Sequence, residues 1–213
     1  MINTLFLWLE APLQSWGERA RWSMRDSANE PTKSGVAGLL ACAMGLDQDD
    51  DLRVLSQRLN VGVRCDRPGI FLKDYQTIRG PWIGGTKLSD RYYLCDAAFL
   101  VAVQSNDGAL IQQLANAVQN PVWPIFLGRK SCVPSHPPFA GTGNYPTMQA
   151  ALESVPVTST QQSETVQVRA VIECTSGEGT RRRDEIDSRS RRTFLPRHTL
   201  DLLLTVQIQS EAK

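Results

Sequence analysis

The residues in this chain that could do chemistry are cations placed beside glycines and aromatic rings. Lys33-Ser34 stands at the start of a helical pattern, where unpaired backbone N–H groups and the positive end of the helix add to the side-chain donors. That grouping reads in two ways, as a seat for one phosphate or as an ordinary capped helix. It is not an ATP-type phosphate loop, because Ser27 and Thr32 stand where that motif needs glycine. Leu127-Gly128-Arg129-Lys130-Ser131-Cys132 puts two cations beside a glycine in a proline-rich stretch, which suits a bent phosphodiester backbone or, alternatively, a solvated basic turn. Arg181, Arg182, Arg183, Arg189, Arg191, Arg192 and Arg197 form a third group, interrupted by Asp184, Glu185 and Asp187. It reads as a solvated, mobile loop or as an arm that orders on a polyanion.

Aromatic residues lie among these cations: Trp16 and Trp22 in a loop with Arg19, Arg21 and Arg25, then Tyr75, Trp82, Tyr92 and Tyr93. Rings beside Arg and Lys can stack unpaired bases, at about 1–3 kcal/mol per base. Trp8 and Phe99 read as core. Catalysis has thin support. A metal-independent ribonuclease needs a general base and acid near a 2′-hydroxyl; His136 and His198 are the only histidines, and neither has a partner nearby in sequence. There is no G-x-S-x-G elbow. The five cysteines, Cys42, Cys65, Cys95, Cys132 and Cys174, are scattered with no C-x-x-C pair, so the expectation is no metal, no cofactor and a reducing compartment.

The elements that must position these residues follow from periodicity. Residues 3–9 alternate as a strand, with Thr4, Phe6 and Trp8 on one face and Leu5, Leu7 and Leu9 on the other. A helix opens at Pro31-Thr32-Lys33-Ser34-Gly35, with the apolar stripe Val36, Leu39, Leu40, Ala43 and Met44, and Gly45 just past its end. Gly35 and Gly38 share one side of it, which predicts close packing there. A second helix is expected over about 50–59, and strands at 61–66, 70–77 and 94–104. Asp107 is the expected cap of a helix reaching about Asn120. Residues 78–92, with Gly80, Pro81, Gly84, Gly85 and Lys87, break the pattern as an inserted loop or hairpin. Residues 121–147 hold six of the twelve prolines and are expected to be irregular. Strands at 165–174 and 200–209 follow.

Written coarsely this is β-α-β-β-α-β, an α+β chain of ferredoxin-like (RRM-like) type: an antiparallel sheet with helices on one face. The composition is that of a folded protein, 41% hydrophobic and 21% charged, and length favours one domain over residues 1–213. The net charge of +1 hides the local basic clusters. Leu5-Phe6-Leu7-Trp8-Leu9 is too short to span a membrane, so a cytoplasmic location is expected.

Five stretches resemble, in the same order, the CasD family: Pro12-Leu13-Gln14-Ser15-Trp16-Gly17, Pro31-Thr32-Lys33-Ser34-Gly35-Val36-Ala37-Gly38-Leu39-Leu40, Leu72-Lys73-Asp74-Tyr75-Gln76-Thr77, Tyr93-Leu94-Cys95-Asp96-Ala97 and Leu127-Gly128-Arg129-Lys130-Ser131-Cys132. That family comprises small subunits of Cascade, the type I-E CRISPR surveillance complex, within the RAMP superfamily of RNA-binding proteins. The resemblance implies a ferredoxin-like domain with a protruding thumb, here residues 78–92. It implies a non-catalytic holder of the 5′ handle of the CRISPR RNA in antiviral defence, beside the large subunit and the first backbone subunit, meeting target DNA through the assembly. The expected RNA contacts are Gln14, Ser15, Trp16, Lys33, Ser34, Tyr75, Gln76, Lys87, Gly128, Arg129, Lys130 and Ser131. The rival expectation is a metal-independent endoribonuclease that processes repeat RNA.

Overall fold

The computed structural model describes residues 2–18, 24–80, 84–158 and 163–209. Arg19, Arg21, Trp22, Pro81 and Trp82 lie outside them. Strand β1 (Thr4–Glu10) alternates as its sequence requires. Leu5, Leu7 and Leu9 enter one apolar core, while Phe6 enters another on the opposite face of the sheet. After the short strands β2 (Leu13–Gln14) and β3 (Met24–Arg25) comes helix α1 (Lys33–Met44). Thr32 caps it through a hydroxyl that accepts from the Gly35 amide, and Gly45 closes it at φ 75°. Helix α2 (Asp49–Gln57) carries three acids in its first turn.

Strands β4 (Asn60–Arg67), β5 (Ile70–Gly80), β6 (Gly85–Cys95) and β7 (Ala98–Gln104) follow. The apolar run at 94–104, expected as one strand, divides at Asp96 (φ 56°), so Leu94-Cys95 finish one strand and Ala98 begins another. Helix α3 (Gly108–Gln119) starts where Asp107 Oδ1 accepts from the amides of Ala109 and Leu110 at 2.9 and 3.1 Å. Beyond it lie β8 (Phe139–Gly143), α4 (Met148–Ser154), β9 (Val157–Thr158), β10 (Thr165–Cys174), β11 (Thr180–Ser188) and β12 (Thr193–Gln209).

The main sheet runs β11-β12-β10-β4-β7-β1-β8, with β9 beside β12. A second sheet runs β2-β6-β3 with β5 paired to β6. Residues 78–80 and 85–92, expected as a break in the pattern, thus continue the two strands of one long hairpin.

Two expectations need correction. Helices do not sit on one face only: α1, α2 and α3 join the core that Leu5, Leu7 and Leu9 enter, whereas Met148, Ala151 and Leu152 of α4 pack with Phe6, Leu100 and Ala102 on the other. The sheet face that an RRM-like protein leaves open is therefore covered here in part by α4. The arginine-rich stretch is likewise neither a mobile loop nor an arm, since β11 and β12 pair through it. Arg182 and Arg197 hold internal ion pairs instead, Arg182 with Glu18 and Glu30, Arg197 with Asp184 and Glu173. No helix among the described residues is long and apolar enough to cross a membrane.

Candidate nucleic-acid interface

Helix α1 places Lys33 at its first position, but the anion it meets there is internal. Asp184 of β11, 1% exposed, accepts the Lys33 backbone N–H at 2.9 Å, and the Lys33 ammonium lies 3.0 Å from Glu185 and 3.2 Å from Glu173. Lys33 is 3% exposed, so the phosphate role expected of it gives way to an ionic lock between α1 and the sheet. Burial pushes the Asp184 carboxyl up, but hydrogen bonds from Arg197 and the Lys33 amide, with the charges of Arg197 and Arg182, outweigh burial and leave it below the usual carboxylate range. A carboxylate depressed by folding contributes stability that is present above its unfolded value, about 3.9, and is lost as pH falls through the folded value. Wild type should therefore lose stability on acidification below about pH 4, and Asp184→Asn should flatten that acid limb in urea titrations at pH 6 and pH 3.

The residues expected to read bases in the first loop are also interior. Gln14, 0% exposed, donates to the carbonyls of Ala97 (2.8 Å) and Leu9 (3.2 Å) and accepts from Trp16 Nε1 at 3.1 Å. Trp16, 1% exposed, lies against Gly35, where an added Cβ would come within 2.7 Å of the indole. The close approach expected at Gly35 is real, and its partner is Trp16. Ser15 donates to Tyr92 O at 3.1 Å while its amide donates to Leu127 O at 3.2 Å. Ser15 and Trp16 thus build the wall of a site with Gln14 behind them, and base contact by Gln14 or the Trp16 ring face is not available to them.

What they wall is a cleft of two lobes. One, of about 670 Å³, is lined by Ser15, Trp16, Arg25, Gly128, Arg129, Arg189 and Arg192 among others. The other, of about 770 Å³, is lined largely by apolar groups, including Leu39, Leu46, Trp123, Ile125, Phe126 and Val133, with Lys130 and Arg189 at its edge. Ser34, Gly35, Gly38, Leu52, Gly128 and Arg189 line both.

Gly128 is at φ 85°, and a Cβ there would lie 1.7 Å from the Ser15 carbonyl oxygen. Only glycine fits such a turn against backbone. Gly128→Ala should lower unfolding stability by at least about 2 kcal/mol, read by chemical denaturation. The turn projects Arg129, whose guanidinium stacks 4.5 Å over the Tyr93 ring and donates to Arg25 O at 2.9 Å. Its Nη1, and Arg91 Nε, are buried without a hydrogen-bond acceptor. Burial pulls the Arg25 guanidinium below its ordinary value, and the like charges of Arg192, Arg91 and Arg129 pull it further. The charges of three arginines from other parts of the chain thus act on Arg25, and of these Arg129 and Arg192 line the same lobe with it.

Arg25, Arg91, Arg189 and Arg192 were not among the expected contact residues; their convergence is tertiary. Asp49 fixes the turn that carries Arg189 and Arg192. It accepts from the Ser190 amide and from the hydroxyls of Ser188 and Ser190, and those bonds hold its carboxyl down to about 2.

Ser34 lies in the cleft, while Lys130 and Ser131 are exposed. Tyr75, Gln76 and Lys87 sit on the β5–β6 hairpin and line neither lobe. Tyr75 is 60% exposed and shares a face with Phe71 and Leu88; Gln76 points to the opposite face and donates to Asp74 at 2.6 Å. His136 and His198 line neither lobe.

A family model described as "CRISPR-associated protein (Cas_Cas5)" matches residues 4–199. The chain belongs to the Cas5 family. This Cas5 chain is 36% identical over 171 residues to the CRISPR system Cascade subunit CasD of Escherichia coli (strain K12), covering 71% of the chain and 76% of that protein. Its fold is similar to a solved structure described as "Crystal structure of Cas protein", with TM-score 0.73, 36% identity and 94% of each chain covered. It is also similar to a chain of a solved "CRISPR RNA-guided surveillance complex", with TM-score 0.79, 28% identity, and 96% and 91% covered.

Proposed function

We propose that this Cas5-family chain is a non-catalytic subunit of a type I-E Cascade and grips the 5′ handle of the CRISPR RNA in the arginine-lined cleft. The observation that carries the reading is that Arg25, Arg129, Arg189 and Arg192 line one lobe of the cleft. Guanidinium groups suit phosphate oxygens. The surveillance complex and the CasD protein that the chain resembles supply the RNA and the setting. In that reading the neighbours are the backbone subunit and the large subunit, target DNA is met through the assembly, and the protein works in the cytoplasm.

The strand order β8-β1-β7-β4, antiparallel throughout, supports a ferredoxin-like core within a single domain. The hairpin β5–β6 is the thumb, carrying Tyr75, Gln76 and Lys87 to contacts away from the cleft. Ser34, Gly128, Arg129, Lys130 and Ser131 remain handle contacts, now joined by Arg25, Arg189 and Arg192.

The test is to isolate the assembly through a tag on this chain and sequence the 5′ ends of the RNA it retains. A uniform repeat-derived 5′ end supports the reading. RNA-free assembly, or discrete cleavage of repeat RNA by the pure chain in EDTA, would overturn it in favour of a scaffold or an endoribonuclease.

A further inference from the structure

Gly38 has no structural reason to be glycine. Glycine inside a helix destabilises it relative to alanine, through backbone entropy and the loss of a packing side chain. At Gly35 the Trp16 ring explains the choice, and at Gly45 the left-handed backbone does. At Gly38, in the middle of α1, a Cβ would meet nothing within 4 Å. The space above Gly38 is the passage between the arginine-lined lobe and the apolar lobe, both of which it lines. A second observation points the same way: Arg25, Arg129 and Arg192 line the lobe on one side of Gly38, and Leu39, Trp123 and Phe126 line the lobe on the other.

We infer that Gly38 is a clearance residue, and that one nucleotide of the single-stranded RNA lies across α1 at this point, phosphate toward Arg25 and Arg129, base in the apolar lobe among Leu39, Trp123 and Phe126. This rests on the RNA-holding reading above and adds to it a position and a specificity determinant. The lobes fit the two halves of a nucleotide by chemistry. Guanidinium groups take the charged half, and an apolar pocket takes a planar base that has left the stack. A side chain at position 38 would stand in the sugar's path.

The test uses Gly38→Ala and Gly38→Leu in the full chain, since Ala and Leu are both good helix formers and should leave Tm at or above the wild-type value. The probe is a labelled synthetic RNA with the 5′ sequence recovered from the assembly. Affinity should fall about threefold for Ala and roughly thirtyfold for Leu, the scale of overfilling a fitted site. A scan of single abasic sites through that RNA should find one position that weakens wild type but no longer weakens Gly38→Leu.

Wild-type affinity in Gly38→Leu, alongside weakened binding in a variant with Arg25 and Arg129 neutralised, would overturn this inference and leave the RNA-holding reading standing. Gly38→Leu that binds RNA normally but fails to enter the assembly would overturn it in favour of a protein partner in the cleft. Absence of RNA binding by wild type would remove both. Should Leu unfold the chain, the affinity of the Ala variant and the abasic scan repeated on that variant decide.

Discussion

Replacing Arg64 by alanine is expected to lower stability by about 3–5 kcal/mol, the scale of breaking a buried ion pair by removing one partner. Arg64 of β4 is fully buried. Its Nε and Nη2 donate to the two oxygens of Asp66 at 2.6 and 2.8 Å, and its Nη1 donates to the carbonyls of Leu152 and Val155 at the end of α4. One side chain therefore neutralises a buried carboxylate and satisfies helix-end acceptors that have no other partner within the helix. Burial already pushes the Asp66 carboxyl up in spite of Arg64, so without the guanidinium the site must protonate or admit water.

Urea unfolding measures the loss, and hydrogen exchange should localise the first opening to α4. Arg64→Met combined with Asp66→Leu should recover much of the loss, because a desolvated pair is often replaceable by apolar groups that pack. A single Arg64→Ala variant within about 1 kcal/mol of wild type would show that the pair does not carry α4.

Neutralising Arg25 and Arg129 together should weaken RNA binding by about two to four orders of magnitude, since each charged hydrogen bond contributes on the order of 1.5–3 kcal/mol. For wild type, about five neutralised phosphates give a slope of log affinity against log salt near −3.5, and removing two should bring it to about −2. A reduced affinity with an unchanged slope would mean that the arginines act through packing; a slope near zero in wild type would exclude a phosphate cradle. Arg129 also stacks on Tyr93 and ties the turn to Arg25 O, so Arg129→Lys is the informative partner variant. It keeps the charge, loses the planar stack and the fork of donors, and should recover the salt slope better than the affinity.

Local rules explain what was legible in the sequence. The two faces of β1, the Thr32 and Asp107 caps, Gly45 at the end of α1 and the existence of α1, α2 and α3 all depend on residues within a turn or two of one another. Helix α4 had such a signal too, Thr147 as cap with Met148, Ala151 and Leu152 at helical spacing, but the proline-rich stretch before it masked it. The Gly128 turn and its stacked arginine were visible as a cation beside a glycine.

Side-chain roles that depend on distant neighbours were not legible. Lys33, Gln14 and Trp16 are types that bind nucleic acid when exposed, and the same donors satisfy buried carboxylates, carbonyls and one another when the chain folds around them. The arginines at 182 and 197 belong to a basic stretch interrupted by acids, as solvated loops often are, yet they neutralise Glu30 and Asp184. Sequence alone determined the family and the local elements, because caps, periodicity and motif order are written between near neighbours. Tertiary structure decided which cations face the cleft and which are locked inside, because burial and charge pairing join residues far apart in the chain, as Lys33 with Asp184 and Arg129 with Arg25.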